Sequence, residues 1–243
     1  MEFFGDTFAG EPFQLFGKTH LMALGALSAI VIFLVYLKNN HRPKLAFAFR
    51  IMAALVLIMD EIAYHMWNAN IGQWTLQKML PLHLCSVFVW LSAWMLLTRS
   101  YRIYEFAYFL GIGGALQVVL TPDIGQFNFP HFRYFQVFLS HGLIICSALY
   151  MTLVENMRPT PQSFKRVFIW LNVYMVFVYL INLLVGGNYL YLMHKPETAS
   201  LLDALGPWPL YIVAGEVVAT LTFVLLYLPF WVMDLKTKSG EVP

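Results

Sequence analysis

Hydrophobic residues fill seven stretches of the chain, approximately 19–38, 45–67, 79–98, 103–121, 134–154, 166–186 and 209–233. Each approaches or exceeds the roughly 20 apolar residues that a helix needs to cross a bilayer. Strict apolar–polar alternation, the mark of a membrane barrel, is absent. Backbone groups in hydrocarbon must be satisfied within their own segment, so the runs are expected to be helices. Between them lie NNHRPK, NANIGQ, TRSY, TPDIGQFNFP, RPTPQ and GGNY with GPWP, rich in turn-forming residues. The pattern predicts an all-α, polytopic membrane protein with seven transmembrane helices in one bundle. A single domain is expected over residues 1–243.

Composition strengthens this expectation. Of 243 residues, 60% are hydrophobic and 12% charged, against about 25% charged in soluble domains. The net charge of +2 is too small to suggest a nucleic-acid partner. The positions of the charges say more than their sum. One set of connectors holds Lys38, Arg42, Lys44, Arg99, Arg102, Arg158, Lys165, Arg166, Lys236 and Lys238; the other holds only Lys18, Lys78, Arg133 and Lys195. Basic residues favour the cytoplasmic side, which predicts an outside N-terminus and a cytoplasmic C-terminus, in agreement with seven crossings. The N-terminal segment is acidic and lacks a basic region before its first apolar run, so no cleaved signal peptide is expected. Spans one to three show no evident relation to spans five to seven, as a repeat-built transporter would.

Polar side chains at bilayer depth are costly and mark sites. Here they gather in one half of the predicted bundle. Span two ends in MDEIAYHMW, with Asp60, Glu61 and His65. Span three begins LPLHLCS, with His83, Cys85 and Ser86, and Pro81 expected in its first turn. Gln117, Thr121 and Asp123 close span four, His141 lies two turns into span five, Asn182 and Asn188 end span six, and Glu216 lies in span seven. His20 begins span one. The other halves, such as IVIFLVY and FVWLSAWMLL, are plainer. A polar chamber in the outer leaflet's half is therefore expected, lined by Glu61, His65, His83, His141, Asn182 and Glu216. His41, His131 and His194 lie in connectors and are expected to be solvated.

Each polar group also has a structural explanation. Glu61 and His65 are helical neighbours at i,i+4 and can bond each other. A histidine in a span can simply cross-link two helices, and Cys146, in IICSALY, is expected to behave as a small hydrophobe. Cys85 lies at the depth of the polar collection, where a base could raise its nucleophilicity. On a helix His83 would point about 200° away from it, so the base is expected from another span. His141 is the geometric candidate, at about 3 Å or somewhat more without substrate. The two cysteines show no zinc or disulfide spacing, and neither a metal nor a cofactor is expected.

LPLHLCS, QVVLTPD, FLSHG and GNYLYLMHKPETASLLDALGPWP together resemble the YwaF-type bacterial integral membrane proteins over nearly the whole chain. Those are distantly similar to a eukaryotic seven-span transmembrane acyltransferase acting on ether phospholipids. The resemblance implies a multi-pass protein of the bacterial plasma membrane. By that likeness, the acyltransferase cysteine falls on Cys85 and a helper histidine on His141. The expected function is acyl transfer to or from an outer-leaflet phospholipid, with membrane lipids as partners. Gln117 or Asn182 would serve the oxyanion, and Glu61, His65, Asn188 and Glu216 the orientation of imidazole or head group. A variant uses His83 and His141 directly on a hydroxyl acceptor. The alternative is a transporter or receptor that binds a small polar solute or protons in the same chamber. Metal transport lacks a His-rich connector, and a Schiff-base photoreceptor lacks a lysine in span seven before Lys236.

Overall fold

A computed structural model describes residues 2–196 and 201–239. Part of the quoted GNYLYLMHKPETASLLDALGPWP run, at 197–200, and both extreme termini of the 1–243 domain lie outside the described residues. No strand occurs among the described residues. The chain forms α1 (Lys18–Asn40), α2 (Pro43–Asn70), α3 (Leu84–Thr98), α4 (Tyr101–Leu120), α5 (Phe132–Leu153), α6 (Pro161–Val185) and α7 (Leu210–Ser239). By length and apolarity, α1, α4, α5, α6 and α7 can each cross a membrane.

The helix starts follow local chemistry. Pro43 and Pro161 stand in the first turns of α2 and α6, where a missing N–H costs nothing. Thr160 and Ser163 form a reciprocal capping box. Gly186, at φ +68°, ends α6 in the left-handed conformation. The bundle is built around α5, the most buried of the five, whereas α1, α6 and α7 bury little of their length. Apolar residues of all seven of these helices, among them Leu34, Leu57, Phe88, Ile144, Val167 and Phe223, form the main core. Cys146 is fully buried there, as a small hydrophobe would be.

Three features depart from the expected pattern. The third span was expected over 79–98, but its helix starts at Leu84, with 15 residues, and Pro81 lies before it rather than in its first turn. Tertiary contacts explain the difference. Tyr189 Oη accepts a hydrogen bond from Leu80 N (2.8 Å) and donates to Leu76 O (2.7 Å), and Tyr174 Oη donates to Leu82 O (2.9 Å). These hydroxyls supply the partners that a helical ladder would otherwise provide. Non-helical backbone is tolerated at such depth only where protein satisfies it.

Second, α4 is not regular: a π turn runs from Ala107 to Gly111. Third, the plain half of the bundle holds Glu105, 2% exposed, which accepts bonds from Ser163 Oγ and Arg166. Around it, Arg158 pairs with Asp234 (2.8 Å) and Arg99 with Glu155 (3.6 Å). These ion pairs fasten one end of the bundle.

Candidate functional site

The other end carries the polar chamber. A cavity of about 220 Å³ is lined by Glu61, Tyr64 and His65 of α2, Lys78, Met79 and Leu80 of the connector, His83 and Ser86 at the head of α3, and Tyr191. The 76–83 segment is held beside it by Tyr189. Asn182 in turn fixes Tyr189, accepting from its N–H (2.8 Å) and donating to its carbonyl (2.9 Å). Leu190 and Tyr191 both have φ near +55°, a costly conformation for side chains of that size. That strain sits at the cavity wall.

Inside the cavity the hydrogen bonds orient the imidazoles. Trp74 Nε1 donates to His65 Nδ1 (2.9 Å), so the neutral ring carries its proton on Nε2. That atom stands 3.6 Å from Glu61 Oε1. Glu61 is 3% exposed. Asp60 faces another way, accepting from Gln136 Nε2 (3.4 Å). Gln136 accepts in turn from Arg133, whose guanidinium lies 4.5 Å from the Tyr64 ring centre. Arg133 is thus tied through Gln136 to the buried Asp60, whose carboxylate would be costly without such partners.

His83 has extended backbone and precedes α3 as its N-cap residue, so the helical argument separating it from Cys85 does not apply. Its ring packs against Tyr189 and Tyr191, both at 5.3 Å, and makes no hydrogen bond among the described residues. Cys85 follows in the first turn, partly exposed, but it is not among the residues that line the cavity. His141 donates from Nδ1 to Val137 O (2.7 Å) within α5, which leaves the Nε2 lone pair open.

The expected hydrogen bond between Cys85 and His141 is not formed among the described residues. Their levels nevertheless match. Phe88 and Ile144 meet at Gly111, where an added Cβ would lie 3.4 Å from the phenyl ring and 3.3 Å from the isoleucine. Cys85 and His141 each lie three residues before these two, one turn nearer the cavity end.

The six-residue chamber expected from sequence is not assembled as a unit. Glu61, His65 and His83 share the cavity, whereas His141, Asn182 and Glu216 do not line it. Asn182 is 1% exposed and committed to Tyr189. Asn188 organises a turn, accepting from Met193 N and His194 N and donating to His194 O. Gln117 is exposed on α4, and Glu216 is half-buried on α7. His20 is fully buried, accepting from Phe16 N and donating to Val119 O, both at 2.9 Å.

His131 is also fully buried rather than solvated. It accepts from Arg133 N (3.1 Å) and donates to Gly5 O (3.1 Å), stapling the N-terminal segment over the site. Burial holds its pKa below the usual histidine range. Tyr64, Lys78, Ser86 and Tyr191 complete the cavity lining. Ser86 and Lys78 were visible as polar residues near the span boundary, but no local signal marked the tyrosines.

Comparison with known proteins finds one family. The model of the TMEM164 family matches residues 15–227. No curated protein and no solved structure matches the chain.

Proposed function

The chain belongs to the TMEM164 family, and from that premise we propose that it is an intramembrane acyl-transfer enzyme acting on phospholipids. The likeness of LPLHLCS, QVVLTPD and FLSHG to YwaF-type proteins supports a place as a multi-pass protein of the bacterial plasma membrane. Seven crossings put the N-terminus and the cavity outside, and the site works on the outer leaflet. The observation that carries the reading is the common level of Cys85 and His141 above the Phe88–Gly111–Ile144 contact, beside a polar cavity in an apolar bundle.

Lipid binding closes the remaining gap between thiol and imidazole. His141 Nε2 takes the Cys85 proton, and the sulfur attacks the ester carbonyl of a donor phospholipid. The tetrahedral oxyanion collapses, the C–O bond breaks, and the proton passes from His141 to the departing lysophospholipid oxygen. The acyl group stays on Cys85 as a thioester. A hydroxyl of an acceptor lysophospholipid then gives its proton to His141 and attacks the thioester, restoring the thiol. The bond from His141 Nδ1 to Val137 O keeps Nε2 the basic nitrogen throughout. Glu61, paired with His65 at 3.6 Å in the cavity wall, orients the polar head group. Lys78 and Ser86 receive the polar head group.

Purified protein in nanodiscs, given a phospholipid labelled in one acyl chain, should transfer the label to lysophospholipid. Cys85→Ser and His141→Ala should each lower transfer at least about 100-fold, while Cys146→Ser leaves it unchanged. Equal rates for Cys85→Ser and wild type would end the thioester mechanism.

A second reading is proton or solute binding in the same cavity, supported by the carboxylate–imidazole pair at 3.6 Å. It predicts substrate-coupled proton uptake in sealed vesicles that is lost in Glu61→Gln and kept in Cys85→Ser.

A further inference from the structure

α7 is fastened at two heights and free between them, to α4 at the lower and to the 189–191 connector at the upper. At the lower height, Gly113 packs on Thr222, whose methyl would lie 3.2 Å from an added Cβ. Close by, Tyr108 Oη donates to Leu226 O (2.9 Å) and Phe223 stacks at 5.2 Å from Phe109. At the upper height, Tyr211 is 2% exposed and its hydroxyl donates to Tyr191 O.

Between these fastenings the helices part. On α4, residues 116, 117 and 120 lie within about 60° of Gly113, at 100° per residue. They continue the face that should meet α7. All three are exposed, Leu116 by 40% and Leu120 by 42%. On α7, Gly215 lies about 20° from Thr222 and about 40° from Tyr211 by the same rule, yet nothing stands within 4 Å of its Cβ position. The opening extends along eleven residues of α7, roughly 16 Å at 1.5 Å per residue.

We infer that this gap between α4 and α7 is a lateral window through which a bilayer phospholipid reaches the polar cavity. Three observations favour a lipid as its occupant. Both walls belong to helices long and apolar enough to cross a membrane, so acyl chains are what meets the gap from outside. Its rim is apolar at Leu116, Leu120 and Val218, with Gln117 as its polar member. Its upper fastening is continuous with the cavity, because Tyr191, which holds Tyr211, also lines that cavity. Gln117, which does not line the cavity, thereby gains a place on the path toward it, whereas Glu216 points about 100° away from Gly215.

The inference rests on the acyl-transfer reading for its consequence but not for its test. A photo-crosslinking benzoylphenylalanine at Gln117, illuminated in phospholipid nanodiscs, should yield a protein adduct one phospholipid heavier by intact mass. An adduct to α7 itself, with no added lipid mass, would mean that the window is shut and would overturn the proposal. Gly215→Trp, which fills open space without displacing a neighbour, should abolish the lipid adduct at Gln117. It should also slow acyl transfer at least tenfold, while a small water-soluble alkylating reagent still labels Cys85 at the wild-type rate. Wild-type transfer in Gly215→Trp would overturn the window as the substrate's route. A lipid adduct without any lipid turnover in wild type would keep the window and remove the acyl-transfer reading instead.

Discussion

At the scale of single residues, tyrosine hydroxyls decide the shape of the site. Tyr189 is fully buried, and its oxygen serves both Leu80 N and Leu76 O. Removing it strands a part-buried donor and a half-exposed acceptor, which costs about 1 kcal/mol. Tyr189→Phe should therefore unfold at lower temperature in detergent, whereas Tyr179→Phe, on the exposed side of α6, should not. Equal melting temperatures would show that the 76–83 segment does not depend on this hydroxyl. Cys85 is conspicuous in sequence because a thiol among polar groups at bilayer depth stands out. Tyr189 and Tyr191 were not visible, because a tyrosine in an aromatic-rich chain carries no mark of where its hydroxyl will bond. Nor could sequence show that His141 spends one nitrogen on Val137 O of its own helix.

At the scale of elements, hydropathy located all seven helical segments and misjudged the start of one. LPLHLC is apolar enough to read as helix, but its backbone is satisfied by hydroxyls roughly a hundred residues later in the chain. A local pattern contains no information about such partners. Glu105 was passed over for a related reason: its cation, Arg166, comes from another helix and lies at a helix start. The non-helical 74–83 segment also presses on the end of α6, where Gln77 Nε2 donates to Val185 O (2.9 Å). A Cβ on Gly187 would lie 3.0 Å from Gln77 O, so this residue is glycine because two connectors touch. Gly187→Ala should push the segment away and speed amide exchange over 76–83, leaving exchange in α5 unchanged. Unaltered exchange over 76–83 would mean that the contact yields at no cost.

At the scale of the whole molecule, the two ends of the bundle are chemically opposite, and that asymmetry argues for one orientation in the membrane. One end gathers Arg99, Arg158 and Arg166 with their acidic partners, and the basic connector between α1 and α2 ends on the same side. The cavity end holds few basic residues, and Arg133 there is turned inward over Tyr64 rather than toward lipid head groups. The N-terminal segment is bound to this end through Gly5 O and Phe4 O, which accept from His131 and Trp67. With basic segments retained in the cytoplasm, the orientation we propose has the ion-paired end inside and the cavity outside. In a Cys85→Ser background that removes the partly exposed thiol, Asn70→Cys should react with a membrane-impermeant maleimide on intact cells. Asn40→Cys should react only after permeabilisation. Labelling of both from one side would break the seven-crossing topology, because α2 alone separates those positions. Labelling of Asn40 from outside and Asn70 from inside would keep the crossings and invert the molecule, which would move the cavity and its window to the inner leaflet.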